Sequence, residues 1–148
     1  SQRILGLVPS LSMEASFASK CLEQAFAQRK DVGLGGCIHH SDNGSQYDSK
    51  AYKKMLADAR MLISRADNCL ENGSAENLNS IVKNMYLKPW NIRTFKELQQ
   101  ACQELVYINN HQRAIEQLGQ LSPIQFEQLV AKLHPEERPQ KVLYDFNS

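Results

Sequence analysis

Cys37-Ile38-His39-His40-Ser41-Asp42-Asn43-Gly44-Ser45-Gln46-Tyr47 is the stretch on which the reading of this chain turns. Residues 37 to 40 read as a short strand, and the polar cluster from Ser41 to Ser45, with its Asn-Gly dipeptide, signals a turn. Asp42 then stands just past a strand end, where α/β sheets place their active sites. The same residues also read as turn chemistry and nothing more, and spacing alone does not separate the two readings. Cys37, His39 and His40 do not make a zinc site, because consecutive residues of a strand alternate faces and cannot converge on one ion.

Upstream of this stretch, Asp31-Val32-Gly33-Leu34-Gly35-Gly36 is a glycine-rich connection. Before it, Phe17, Cys21, Leu22, Ala25 and Phe26 recur at helical spacing between Ser12, a capping residue, and about Lys30, with Glu14 in the first turn. The apolar run Ile4 to Val8, ended by Pro9, predicts an edge strand. Downstream, Ser49 opens a helix with Tyr52, Met55, Leu56 and Ala59 on one face, and Met61-Leu62-Ile63 predicts a third strand. This β–α–β–α–β order predicts an α/β sheet with a parallel or mixed core.

Residues 64 to 73 are polar and irregular. From about Ser74 to Tyr86 a helix is predicted, with Leu78, Ile81, Val82 and Met85 inward, Glu76 in its early part, and Lys88-Pro89-Trp90-Asn91 ending it. Thr94-Phe95-Lys96-Glu97 matches a capping box ahead of a long amphipathic helix through Leu98, Ala101, Cys102, Leu105 and Val106. Ser122-Pro123-Ile124-Gln125 opens the last helix, and His134 to Ser148, with two prolines, predicts a mobile tail. The sequence thus predicts an α/β half followed by a helical half.

Bulk composition sets the frame for function. The 148 residues are 42% hydrophobic and 22% charged, as in a globular domain, and long enough to bury roughly two-thirds of the unfolded surface. Seventeen Lys and Arg against sixteen Asp and Glu give a net charge of +1, so any nucleic-acid contact must come from a local patch. No apolar run reaches the roughly 18 residues of a membrane span, and a cytoplasmic location is expected. The four cysteines, Cys21, Cys37, Cys69 and Cys102, form no CxxC pair and are read as reduced thiols, Cys21 and Cys102 as small buried hydrophobes.

Three separated blocks then occur in order. His40-Ser41-Asp42-Asn43-Gly44-Ser45-Gln46-Tyr47 with Ser49 and Tyr52 is followed by Ser64-Arg65, Asn68-Cys69, Asn72 and Glu76, with Leu78 to Lys83 beyond. Tyr107-Ile108, Asn110, Arg113, Leu118-Gly119 and Ser122-Pro123 make the third block. Together they resemble the integrase-core signature of insertion-sequence transposases of the DDE and retroviral-integrase superfamily, HSDxGSQYxSxxY then SRxGNCYDNAxxES then YIxxYNxxRxHxxLGxxSP. The resemblance covers about Ile4 to Phe126, assigning 1–126 to a truncated catalytic core and 127–148 to the end of the last helix and the tail.

The resemblance implies a ribonuclease H-like fold lacking its first strands. It further implies metal-dependent phosphodiester hydrolysis and strand transfer in DNA transposition, with Mg²⁺ or Mn²⁺ held by an Asp, Asp, Glu triad. Asp42 matches the second acidic residue and Glu76 the third; the first lies on the missing opening strand. Glu71 and Asn72 are assigned supporting roles. His40 is either a structural hydrogen bonder or catalytic, and Gly44 is expected to take a positive φ in the turn that aims Asp42. Gln46 and Tyr47 either touch DNA or anchor the turn. Lys83, Asn84 and Lys88 either lie beside bound phosphates or form a solvated face; Arg113 and Asn110 either bind phosphate or fasten the last helices. Trp90 is expected to pack rather than stack on a base. The implied partners are transposon and target DNA and further copies of the chain, which places it at the nucleoid when DNA-bound. The rival reading is a non-catalytic remnant that binds DNA or the intact transposase.

Overall fold

The computed structural model describes residues 1–11, 15–42, 44–65 and 73–139. The proposed cap Ser12 with Glu14, the turn residue Asn43, Asn68 with Cys69, Glu71 and Asn72, and the tail beyond residue 139 lie outside the described residues. The chain divides into two compact units, one of Ile4–Val106 and one of Ser1–Arg3 with Tyr107–Ser148.

In the larger unit a helix, α1 (Ala15–Gln28), precedes a strand, β1 (Ile38–Ser41). Helix α2 (Lys50–Asp58) then leads to β2 (Leu62–Arg65), which pairs parallel with β1 in the register Ile38↔Leu62 to Ser41↔Arg65. Ser49 caps α2 by accepting the Tyr52 N–H, as the sequence predicts. The strands alternate faces as their period of two requires. His39, Ser41, Ile63 and Arg65 line the side shared with Tyr52 and Leu56 of α2, while Ile38 and Leu62 on the other side are half exposed, at 50% and 58%.

The sheet has two strands among the described residues, not three, because Ile4–Val8 is not a strand. Side chains of α1 take the place of a ladder: Gln28 Nε2 donates to the Ile4 and Leu5 carbonyls at 3.2 and 2.9 Å, and the Leu7 N–H donates to Gln24 Oε1 at 2.8 Å. Gly6 permits this close approach, since a Cβ there would collide with the Cys21 carbonyl and lie 2.9 Å from its Sγ. Ser64 and Arg65, predicted as irregular, extend β2 because they pair with His40 and Ser41.

Two apolar clusters hold this unit. Leu22, Tyr52 and Leu56 join α1 to α2, with Phe26, Tyr47, Met55 and Met61 around them. Ile4, Val82 and Leu105 form the second, with Leu78, Tyr86, Leu87 and Trp90 against it. Each fully buried leucine contributes about 2 kcal/mol of transfer free energy. Trp90 packs edge-to-face on Tyr86, as expected of a packing residue. The helix predicted over 74–86 is α3 (Gly73–Ile81) running into a π-helical segment, Val82–Leu87, where Lys88 N–H reaches back to the Lys83 carbonyl. Segments of this kind are frequent at functional sites.

Helix α4 (Phe95–His111) begins with the predicted capping box: Thr94 Oγ1 accepts the Glu97 N–H, and Glu97 Oε2 accepts the Thr94 and Arg93 N–H groups. In the smaller unit, Gly119 takes φ +68° to close a tight turn, and Ile115 bridges Leu121. Helix α5 (Pro123–Ala131) starts with a capping box between Ser122 and Gln125 and Pro at its first turn. A 3₁₀ turn, Pro135–Glu137, follows within the segment predicted as mobile tail.

Candidate active site

Parallel pairing of β1 and β2 sets their carboxyl ends side by side, with Ser41 opposite Arg65. Asp42 is the next residue after β1 and is exposed, its Oδ1 accepting the Gly44 N–H at 3.0 Å. This Asx turn fixes the carboxylate against the backbone. Gly44 itself has φ −61°, so the expected positive φ is not what the turn uses. The turn closes instead through the side-chain bond of Asp42, and the Gln46 amide crowds the space that a Cβ on Gly44 would fill.

Gln46 and Tyr47 belong to a 3₁₀ turn, Ser45–Tyr47. Tyr47 is one of three mutually edge-to-face rings with His39 and Tyr52, at centroid separations of 5.5 to 5.9 Å. Tyr52 Oη and His39 Nε2 are 2.9 Å apart in a hydrogen bond, and His39 Nδ1 is a buried atom without a partner. Burial lowers the His39 pKa below its ordinary value, the neighbouring His40 adding to the effect. The Tyr52 hydroxyl is pushed up to about 12, chiefly by burial and then by Tyr47. On the opposite sheet face His40 Nδ1 bonds Ser64 Oγ at 3.0 Å, tying the two strands together near their ends.

One charged cluster at this end escapes a reading by motif. Asp48 accepts from Lys53 Nζ at 2.9 Å and from the Arg65 guanidinium, and these two partners, Lys53 foremost, hold its carboxyl below its ordinary value. Asp48 lies seven residues past the end of β1 and Arg65 ends β2, so it is the tertiary pairing of the strands, with no local sequence signal, that lets them meet.

Glu76 is exposed in the first turn of α3, where a carboxylate favours the helix dipole. Lys83 and Lys88 are exposed on and just after the π-helical segment, and Asn84 donates to Ser80 Oγ at 3.0 Å. In the smaller unit Arg113 donates to Asn109 Oδ1 at 3.1 Å, and Asn109 Nδ2 donates to Asn110 Oδ1 at 3.2 Å. Asn109 and Asn110 are 1% and 2% exposed, a placement that suits fastening of this segment. Among the described residues no three His, Cys, Asp or Glu side chains gather as a metal cluster.

A chain in the solved structure of the simian T-cell lymphotropic virus intasome in complex with PP2A regulatory subunit B56 gamma matches with a TM-score of 0.64, covering 90% of this chain and 45% of that one at 19% identity. The likeness shows that this chain shares the fold of the matched part of that one.

Sequence relatives are insertion-sequence transposases. The transposase for insertion sequence element IS629 of Shigella sonnei is 37% identical over 128 residues, 84% of this chain and 42% of the relative. The putative transposase for insertion sequence element IS986/IS6110 of Mycobacterium tuberculosis (strain ATCC 25618 / H37Rv) is 31% identical over 134 residues, 85% of this chain and 48% of the relative. The chain is a homologue of insertion-sequence transposases, and it spans less than half the length of these curated relatives. No protein-family model matches it.

Proposed function

We propose that residues 1–126 are part of a ribonuclease H-like DDE catalytic core that hydrolyses and rejoins DNA phosphodiesters during transposition. The observation that carries this reading is 31–37% identity to insertion-sequence transposases over most of the chain, with Asp42 at the end of a parallel strand. Asp42 and Glu76 are the proposed metal ligands. Both are exposed carboxylates, hard oxygen donors that suit Mg²⁺ or Mn²⁺, and Asp42 is oriented by Gly44. When bound, such ions activate an attacking water or hydroxyl and stabilise the leaving oxygen.

The chain's own groups orient this chemistry. The Asx turn holds Asp42, the His40–Ser64 bond and the His39–Tyr47–Tyr52 rings fix the strand that carries it, and Asp48 holds Arg65 and Lys53 at the same strand ends. Arg65, Lys53, Lys83 and Lys88 are cations suited to DNA phosphates, and Gln46 with Tyr47 shapes the approach. Glu71 and Asn72 are assigned supporting positions, and the working form is a homo-oligomer on transposon and target DNA.

The experiment is thermal melting of the chain with increasing Mn²⁺ or Mg²⁺. At about ten times the dissociation constant a bound ion stabilises by about 1.4 kcal/mol, which raises Tm by roughly 3–5 °C in a domain of this size. The shift should vanish in Asp42→Asn and in Glu76→Gln; an equal shift in either variant would refute the assignment.

A further inference from the structure

At the other end of the strands lies a groove of about 400 Å³ with an apolar floor of Phe26, Leu34 and Ala59. Three cations, Arg29, Lys30 and Arg60, line it against a single carboxylate, Asp58. That carboxylate is already engaged by Lys54 at 2.7 Å. Asp31, next in sequence to Lys30, is exposed beside the groove and offsets part of the positive charge.

Arg60 occupies a position that its backbone does not favour. Helix α2 ends in a Schellman arrangement, in which Met61 N–H donates to the Leu56 carbonyl at 3.0 Å and Arg60 N–H to the Ala57 carbonyl at 2.9 Å. Arg60 therefore sits where glycine is preferred, with φ +55°, and an L side chain there costs about 1 kcal/mol. Its carbonyl also accepts the Gly36 N–H at 2.9 Å, so the strained residue is pinned on both sides. The backbone of Arg60 is thus fixed at the edge of the groove, with its side chain exposed.

We infer that this groove is a second DNA contact, in which Lys30 and Arg60 grip the sugar-phosphate backbone of a duplex. Cations above an apolar floor suit that ligand: phosphates meet the charges while sugar edges lie on Phe26 and Leu34. The four residues of β1 separate the two ends by about 13 Å, or roughly four base pairs at 3.4 Å each. One duplex can therefore reach both ends of the strands. The inference rests on the proposed function insofar as that reading makes DNA the polyanion.

The test is fluorescence anisotropy of the chain with a labelled duplex, over a salt series from about 50 to about 200 mM. Arg60→Gly removes the charge and relieves the backbone, so it should melt no lower than wild type while binding DNA roughly threefold to tenfold more weakly, with the log-log salt slope reduced by about 0.9. Lys30→Ala should act alike, and Lys96→Ala, an exposed change on α4, should bind as wild type. Wild-type affinity and slope in both Arg60→Gly and Lys30→Ala would overturn the groove while leaving the DNA reading intact. A wild-type chain that does not bind duplex at all would overturn the DNA reading, and the groove with it.

Discussion

Tyr52→Phe probes the support beneath the strand that carries Asp42. The substitution keeps the ring, its burial at 3% exposure and its edge-to-face contacts with His39 and Tyr47, and removes only the hydroxyl that pairs with His39 Nε2 at 2.9 Å. A neutral hydrogen bond contributes about 1 kcal/mol net, and stranding a partly buried partner adds to the loss. His39 Nδ1 is already unpaired, so the ring would lose its one polar side-chain contact. The expected cost is about 1–2 kcal/mol. For a chain of this length that corresponds to a Tm fall of roughly 3–6 °C, measured by circular dichroism at neutral pH. The pair should also show a coupling of about 1 kcal/mol in a cycle with His39→Phe. A Tm equal to wild type, or strict additivity in the cycle, would refute the reasoning that this hydrogen bond holds β1 on α2.

Other outcomes follow from the same contacts. Because burial lowers the His39 pKa in the folded state, the unfolded chain binds the proton first as pH falls below about 6.5. Stability should therefore be intact above that pH and decline as pH drops toward the lower folded value, a decline that His39→Phe should blunt in urea melts. Ultraviolet titration should show one tyrosine ionising near 12, missing in Tyr52→Phe; the folded form should lose stability as pH rises from about 10, since only the unfolded chain then releases the proton. Leu105→Ala, at a fully buried position between Ile4 and Val82, should cost about 2–5 kcal/mol by denaturant unfolding. Asp42 and Glu76, the two proposed ligands, make by themselves an incomplete cage for Mg²⁺, so the purified chain should not nick supercoiled plasmid; Mg²⁺-dependent nicking that Asp42→Asn abolishes would contradict this.

Elements with a local chemical signature were legible in the sequence. Ser49, Thr94 with Glu97, and Ser122 with Gln125 each begin a helix where their side chains predict it, because a cap is decided within one turn of chain. The β1–α2–β2 unit was likewise visible as apolar runs around a capped helix. Ile4–Val8 was not: an apolar run looks the same whether its backbone is satisfied by a neighbouring strand or by Gln24 and Gln28. Gly44 misled for a related reason, since a glycine in a turn suggests positive φ although the Asp42 side chain already closes it. The Asp48–Lys53–Arg65 cluster depends on strand register, which is a tertiary property, and the π-helical segment after α3 carries no sequence mark of its own.

The central claim is that Asp42 and Glu76 serve one divalent site, and paramagnetic broadening by Mn²⁺ tests it most directly. Backbone amide signals of the isotopically labelled chain are followed as Mn²⁺ is added at substoichiometric amounts. The account predicts that resonances flanking Asp42, such as Ser41 and Gly44, and those flanking Glu76 at the start of α3 broaden together, and that Asp42→Asn or Glu76→Gln relieves both groups at once. Broadening confined to one group, or broadening near Glu76 that persists unchanged in Asp42→Asn, would contradict it.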